Sequence, residues 1–393
     1  MMDIHIPDRP AQALQALHDA GFGAWVVGGA VRDSLMDRLT ADWDLTAACQ
    51  PEDLMRVLPG AKPMGGVYGT VVWHGVEITP CRTEEGYSDN RHPDQVQFGA
   101  DIVADLARRD FTVNAIAWDG AHAVDPYDGQ GDLQKHLLRC VGQPDRRFTE
   151  DALRILRLYR FAGTLGFAIE PETGRAALAL ADSLKTVSAP RVRGELTKAL
   201  AGPRPSALAP LIAAGGLKSF GLPSARLAED PAGLDGLDKV PGSPLCRWWA
   251  LLRLTGADPK KVSKIFDFGK NFLRDLVKMD SLYDHGCPAD CHDMKLLLMD
   301  GWCFDPDKYL DAFAAIDPGF AGGRAVYRKL LESGEPYLVH HLRITPAELL
   351  VEGVPGRKIS KVQACLLKAV IDTPSYNVYP VLAQMAKGLA SVV

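Results

Sequence analysis

Residues 24–33, AWVVGGAVRD, followed at 42–44 by DWD, are the stretch that decides the fold of this chain. Four apolar residues ahead of Gly28 and Gly29 are typical of a short buried strand, and a helix is predicted from about Val31. A strand, a glycine turn and a helix in this order expose backbone N–H groups and a helix dipole that can hold phosphate. The spacings of the dinucleotide fingerprint and of the Walker loop are absent. A plain tight turn is the simpler alternative.

Two carboxylates follow this turn, since Asp42, Trp43 and Asp44 are predicted to lie on a strand whose apolar run covers 43–47. Asp42 and Asp44 are two positions apart, so on a strand they point to the same face. Carboxylate oxygens suit Mg²⁺, and two such ions about 3.5–4 Å apart can activate a hydroxyl and neutralise a leaving pyrophosphate. Alone, an Asp-x-Asp is more often a solvated turn. Glu77, a lone acid in the apolar segment 75–79, is the candidate third ligand, or else an acid facing water on an edge strand.

Composition and patterning predict a globular chain of two to four packed units. Of its 393 residues, 47% are hydrophobic and 24% charged, as in ordinary soluble proteins. The absence of a basic start before an apolar run, and of any membrane-length apolar stretch, predicts a cytoplasmic protein. Its eight dispersed cysteines predict reduced thiols rather than a disulfide framework. The net charge of −5 hides an arginine cluster between positions 139 and 160.

The order of predicted elements indicates an α+β fold. A helix over 10–21 and short strands over 24–27, 43–47, 70–74, 76–79 and 113–118, separated by Gly, Pro and Asp, predict a small mixed β-sheet domain. From Phe148 onward, leucines at helical spacing replace the strand patterns. The remainder of the chain is therefore predicted to be all helical.

The ordered motifs resemble the signature of class II CCA-adding enzymes and bacterial poly(A) polymerases, in the polymerase-β-like nucleotidyltransferase superfamily. The resemblance is firm to about residue 200 and beyond it depends on ITPAELL at 344–350 through Gly356. One departure is Pro190, which stands where the last family motif usually has Glu and suits a helix start. The motif segments are VGGAVRD at 27–33, DWD at 42–44, RTEEGYSDNRHP at 82–93, RRDFTVNA at 108–115, DPYDG at 125–129 and FTEDALR at 148–154.

The resemblance implies template-independent addition of CCA to the 3′ end of tRNA from CTP and ATP, with two Mg²⁺ ions. It implies a polymerase-β-like head at 1–140, a helical neck at 141–205, a helical body at 206–340 and an RNA-binding tail at 341–393. Asp42 and Asp44 are the predicted metal ligands, and together with Glu77 they are the predicted catalytic carboxylates. The predicted nucleotide-binding residues are Gly28, Gly29, Arg32, Arg108, Arg109, Asp110, Asn114, Glu150, Asp151, Arg154, Arg157 and Arg160.

By resemblance, Glu150, Asp151 and Arg154 lie at the base, Asp110 at the ribose, and Arg109 at the sugar or phosphates. Asp151 and Arg154 are three apart, so they are predicted to project from one helical face. Cytosine and adenine share an amino donor beside a ring-nitrogen acceptor, so a carboxylate and a guanidinium can accept both and reject uracil and guanine. A surface ion pair is the alternative.

Two further arginines continue the spacing of Arg154. Arg157 and Arg160 are predicted to hold the base pocket or the triphosphate, and for Arg160 a solvated helix face is the alternative. Downstream, the segment 287–293 with its two cysteines and one histidine could suggest zinc, but it lacks paired C-x₂-C units.

Three other functions stay open at the level of sequence. A poly(A) polymerase shares the motifs but usually carries a longer, strongly basic carboxyl-terminal extension than the Arg357, Lys358 and Lys361 cluster here. An enzyme adding only CC or only A differs between the first two motifs, where residues 89–91 favour full CCA addition. A catalytically inactive RNA-binding module has no chemical reason to keep clustered buried charges. We predict no membrane association and no obligate protein partner.

Overall fold

The chain forms two compact units, residues 1–233 and 234–393. A computed structural model describes residues 4–40, 42–65, 68–86, 95–230, 232–299 and 306–392. The predicted head and neck both fall within the first unit. The finer division into four parts stays a prediction.

The first unit combines all the described strands with eleven helices. Its strands are β1 (Ala24–Val27), β2 (Asp44–Ala47), β3 (Lys62–Pro63), β4 (Val71–Trp73), β5 (Val76–Pro80), β6 (Arg82–Glu85), β7 (Gln95–Phe98), β8 (Ala117–Trp118), β9 (Ala123–Val124), β10 (Leu137–Leu138) and β11 (Ala168–Ile169). Its helices are α1 (Asp8–Asp19), α2 (Gly29–Leu35), α3 (Pro51–Val57), α4 (Ile102–Ala107), α5 (Gly129–Gln134), α6 (Pro144–Glu150), α7 (Leu153–Leu165), α8 (Pro171–Ala179), α9 (Ala189–Ala201), α10 (Ala209–Ala213) and α11 (Ala225–Glu229).

A seven-stranded mixed sheet organises the head, in the order β3-β4-β5-β2-β1-β8-β9. Strand β1 runs antiparallel to β2 with Val27 opposite Asp44, and β2 runs parallel to β5 with Leu45 opposite Ile78. Three of the four residues of β1, Ala24, Val26 and Val27, are buried, and such burial fixes the register of a short strand. The predicted α+β class is confirmed.

Two local predictions were wrong. The predicted strand over 113–118 shrinks to β8, because residues 112–114 form a 3₁₀ turn whose polar side chains bond elsewhere: the Thr112 hydroxyl donates to Asp132, and the Asn114 amide donates to Asp110. The second error concerns Asp42, which precedes β2 rather than lying on it, since the strand begins at Asp44.

The helices that follow the head are interrupted at one functionally important residue. Helix α6 ends at Glu150, and Asp151 has an extended backbone, with φ −147° and ψ 102°, before α7 begins. The Asp151 carboxylate accepts a hydrogen bond from the Leu153 backbone N–H at 3.1 Å, as a capping residue does. The prediction that Asp151 and Arg154 share one continuous helical face was therefore wrong. Pro190 lies in the first turn of α9, as predicted.

The regular elements described in the second unit are all helices. Its core includes an aromatic group in which the rings of Trp249, Tyr283, Phe313 and Phe320 pack together, and a second cluster around Leu366. The helices are α12 (Pro244–Thr255), α13 (Pro259–Phe266), α14 (Lys270–His285), α15 (Cys291–Met299), α16 (Pro306–Ile316), α17 (Gly323–Ser333), α18 (Pro346–Val351), α19 (Ile359–Asp372) and α20 (Tyr379–Val392).

The cysteines of the described residues agree with the sequence analysis. The seven cysteines within the described residues are free thiols, and Cys303 lies outside them. Within the same part of the chain, no three His, Cys, Asp or Glu side chains are grouped as metal ligands. No described helix is long and apolar enough to cross a bilayer.

Candidate active site

A cavity of about 670 Å³ in the first unit brings most of the predicted residues together. Seven arginines and five aspartates line it, so its wall carries a surplus of two positive charges. This volume lies in the range of small-molecule sites. The lining residues are Gly28, Gly29, Arg32, Asp33, Leu39, Thr40, Asp42, Asp44, Arg108, Arg109, Asp110, Asn114, Asp151, Leu153, Arg154, Arg157, Arg160, Phe161 and Arg191.

The predicted catalytic carboxylates lie on or just before the adjacent strands β2 and β5. Asp42 and Asp44 line the cavity, while Glu77 is exposed on β5, beside the start of β2. Although the Asp44 carboxylate touches solvent, the surrounding walls desolvate it, and this desolvation together with the charges of Glu77 and Asp42 raises its pKa against the opposing effect of Arg109. No side chain in the described part of the chain donates a hydrogen bond to the carboxylate of Asp42 or Asp44. Their oxygens are therefore available to a hard cation.

The glycine turn brings the main chain close to an arginine. Gly28 has φ +73° and ψ −130°, a conformation that residues with a Cβ rarely adopt. A Cβ on Gly28 would also lie 3.3 Å from Nη1 of Arg109. The Nε of Arg109 is buried and has no hydrogen-bond partner among the described residues. A small residue at position 28 thus leaves room for this guanidinium at the edge of the turn.

A chain of buried hydrogen bonds connects α2 to α7 along the cavity wall. The Arg32 guanidinium donates to Asp33 and, at 2.6 Å, to the side-chain oxygen of Asn114. The Asn114 amide donates to Asp110, and Arg157 donates twice to Asp110, at 2.8 and 2.6 Å. Burial favours the neutral acid, but Arg157 and these hydrogen bonds hold the pKa of Asp110 at about 2. Asp110 is therefore an ionised, fixed acceptor at neutral pH.

Arg154 is held by three acceptors that fix the direction of its guanidinium. Its Nη1 donates to the Glu150 carboxylate at 2.8 Å and to the backbone oxygen of Arg147 at 3.0 Å. Its Nη2 donates to the backbone oxygen of Arg108 at 2.9 Å. Glu150 does not line the cavity and instead lies behind Arg154. Its position indicates that it orients Arg154, which differs from the predicted contact with the base.

Asp151 lines the same cavity from the break between α6 and α7. Its second carboxylate oxygen accepts a hydrogen bond from Arg191 of α9 at 2.8 Å, so its ion pair is with Arg191 rather than with Arg154. The sequence analysis did not single out Arg191. Its spacing offered little signal, because the contact spans 40 positions between separate helices.

The two remaining predicted arginines, Arg157 and Arg160 of α7, contact Glu195 of α9. Arg160 donates to Glu195 at 2.5 Å and lies over the Phe161 ring at 3.8 Å from the centroid, and Arg157 lies 3.8 Å from Glu195. Arg160 is thus paired and lines the cavity, which differs from a solvated helix face. Glu195 is a second residue whose position the sequence did not predict, although it is buried among these arginines.

Comparison with known proteins shows the family to which the chain that forms this cavity belongs. The model for the "Poly A polymerase head domain" matches residues 24–139, and the model for the "Probable RNA and SrmB- binding site of polymerase A" matches residues 166–225. A CCA-adding enzyme of Limosilactobacillus fermentum is 32% identical over 97% of this chain and 96% of its own length. This chain belongs to the CCA-adding enzyme family. The predicted family and enzyme class are confirmed.

Other members of the family give the same result. A CCA-adding enzyme of Lactobacillus helveticus is 44% identical over 51% of this chain and 51% of its own length, so this match spans about half of each protein. The crystal structure of the Bacillus stearothermophilus CCA-adding enzyme in complex with CTP is 25% identical and covers 98% of this chain with a TM-score of 0.74. The Thermotoga maritima CCA-adding enzyme complexed with tRNA, at 19% identity and a TM-score of 0.66, shows the same fold.

Proposed function

We propose that this protein adds C, C and A to the 3′ end of tRNA, using CTP and ATP and no template. The observation that carries the proposal is that one cavity is lined both by the Asp42 and Asp44 carboxylates and by Asp151 and Arg154. The first pair provides a place for nucleotidyl transfer, and the second provides a place to recognise a base. Family membership supports the same activity.

The triphosphate binds, in this proposal, at the glycine turn. A nucleoside triphosphate is strongly anionic, and the arginine surplus of the cavity attracts it. Arg109 is the side chain beside Gly28, and its unpaired Nε–H is a donor for a phosphate oxygen. Asp110, ionised and held by Arg157, is a suitable acceptor for a ribose hydroxyl.

The Mg²⁺ ions bind, in this proposal, at Asp42 and Asp44, with Glu77 as a further ligand. The Asp42 and Asp44 carboxylates fit a divalent cation because they line one cavity, carry like charges and receive no hydrogen bond from any described side chain. When bound, two such ions lower the pKa of the attacking hydroxyl and stabilise the leaving pyrophosphate. The protein aligns the terminal 3′-hydroxyl of the RNA with the α-phosphorus for in-line attack.

Base choice follows from the hydrogen-bonding groups at Asp151 and Arg154. Arg154 has its position fixed by Glu150 and by two backbone oxygens. Its Nε–H and one Nη2–H remain for a ring nitrogen, while Asp151 accepts from the exocyclic amine that cytosine and adenine share. Uracil and guanine place N–H against the guanidinium and a carbonyl against the carboxylate, so they leave unpaired groups in the site.

The product of the reaction tests this proposal. Purified protein is incubated with Mg²⁺, tRNA lacking its last three nucleotides, and single or mixed labelled nucleotides, and the 3′ end is sequenced. Ends of CCA support the proposal. Long A tracts identify a poly(A) polymerase, CC or single A ends identify a partial enzyme, and unchanged tRNA identifies an inactive RNA-binding module. Each of these three results overturns the proposal.

Other predictions remain open beside this one. Residues 89–91, which bear on full against partial addition, lie outside the described residues. The four-part domain division, the cytoplasmic location and the RNA-binding role of the tail stay predictions.

A further inference from the structure

We propose that Asp105 is a positioning residue, which directs the Arg109 guanidinium toward the triphosphate of the bound nucleotide. The proposal rests on the proposed function and names a residue that controls nucleotide binding without lining the cavity. Asp105 lies on α4 and is completely buried. In the sequence it stands in an otherwise apolar helix, three and four positions before Arg108 and Arg109, which follow the end of α4 at Ala107.

The Asp105 carboxylate divides its two oxygens between these arginines. One oxygen accepts from Arg108, at 3.1 Å from Nε and 2.7 Å from Nη2, and from the Arg82 backbone N–H at 3.3 Å. The other oxygen accepts from Nη2 of Arg109 at 3.1 Å. Burial alone would raise the pKa of Asp105, but the two guanidinium groups hold it below its ordinary value. The carboxylate is therefore charged when it orients them.

Arg109 depends on this single acceptor. Among the described residues, Asp105 is the only group that accepts a hydrogen bond from the Arg109 guanidinium. Arg109 also lines the cavity, with Nη1 beside Gly28, and its Nε is buried and unpaired among the described residues. A buried N–H without a partner costs free energy unless a ligand satisfies it. We infer that Asp105 and the phosphate hold Arg109 from opposite sides.

A purely structural role for Asp105 makes a different prediction. If it only satisfied buried donors, its replacement would lower thermal stability and leave nucleotide affinity unchanged in the folded fraction. Asp105→Asn separates the two roles. The amide oxygen can still accept from Arg108 and from the Arg82 backbone, but the amide nitrogen then faces Nη2 of Arg109, donor against donor. The variant releases Arg109 selectively.

The experiment measures Kd for CTP and ATP by calorimetry on the full chain with Mg²⁺ and without tRNA. We expect Asp105→Asn to raise both Kd values by the same factor, about tenfold, because the triphosphate is common to both and a charge-assisted contact is lost. The control is Asp132→Asn. Asp132 is equally buried and bonded to the Thr112 hydroxyl and to Arg139, but it does not hold a cavity arginine. It should lower Tm without changing either Kd.

A double variant tests whether Asp105 acts through Arg109. We expect Arg109→Ala with Asp105→Asn to bind nucleotide no more weakly than Arg109→Ala alone. Additive effects, unchanged Kd values, or a change for only one nucleotide would overturn the proposal. Should Asp105→Asn fail to fold, Asp105→Glu keeps the charge and displaces it by one methylene, and unchanged affinity in that variant would overturn it equally. Failure of the wild-type protein to add CCA would instead count against the proposed function.

Discussion

Replacement of Arg154 by alanine should relax base choice while leaving the fold intact. In the structure Arg154 contributes two N–H groups to the cavity and uses the other three for Glu150 and two backbone oxygens. Loss of a hydrogen bond from a charged donor costs about 1.5–3 kcal/mol, and 1.4 kcal/mol is a factor of about ten. We therefore expect kcat/KM for CTP to fall by about tenfold to a hundredfold. For UTP it should fall far less, because the donor that excludes uracil is also gone.

The assay compares kcat/KM for CTP and UTP on tRNA lacking its CCA end. Arg146→Ala is the matched control: Arg146 also donates to Glu150, at 3.1 Å, but its side chain is 73% exposed and does not line the cavity. In Arg154→Ala the Glu150 carboxylate keeps its ion pairs with Arg146 and Arg147, so the site should not collapse. A variant that loses activity for CTP and UTP by the same factor would refute the base-reading role of Arg154.

Three further variants test other parts of the site. Asp110→Asn should lower the free energy of unfolding by about 2 kcal/mol at pH 7, since the pKa of Asp110 is 3.8 when unfolded and about 2 when folded. Urea titrations should show this loss of stability persisting above pH 4 and becoming smaller as pH falls toward 2. A loss that stays constant with pH would contradict the prediction. Gly28→Ala should lose about 1–3 kcal/mol of stability and also nucleotide affinity. Gly60→Ala, at φ +85° with open space around it, should lose stability alone. Equal nucleotide affinities in the two variants would argue against crowding of the site by a Cβ at position 28. Asp42→Asn with Asp44→Asn should abolish nucleotide addition and Mn²⁺ binding measured by electron paramagnetic resonance, and an active double variant would rule out the metal assignment.

Local patterns predicted the elements that surround the site better than they predicted its contacts. The strand and glycine turn at 24–29 follow from composition and spacing, because a buried strand and a positive φ each demand particular residue types. Asp42 was misplaced on the strand, since period-two spacing does not show where pairing begins. The break at Asp151 was not predicted for a related reason, because helical spacing continues through it. Only the hydrogen bond from the Leu153 backbone N–H to the Asp151 carboxylate shows that a new helix begins there.

Tertiary partners account for the other differences. Glu150 and Arg154 were predicted to share one role, but four residues apart on adjoining helices they pair with each other, so the acid orients the arginine. Arg191 reaches the cavity from α9, and Glu195 on the same helix pairs with Arg160, which lines the cavity. These contacts span 40 and 35 positions, beyond the range of any helical pattern. Asp105 is a different case, because its spacing from Arg108 and Arg109 is visible in the sequence. Its burial and its hydrogen bonds to the two guanidinium groups are visible only in the structure.

One contact in the site has a genetic consequence. Arg154 is anchored on the backbone oxygen of residue 108, and a main-chain carbonyl is present whatever amino acid is encoded there. Substitutions at position 108 can therefore alter the side chain that pairs with Asp105 and Glu84 while the anchor of Arg154 persists. The proposed base-reading role of Arg154 is in this way insulated from changes of side chain at a neighbouring position.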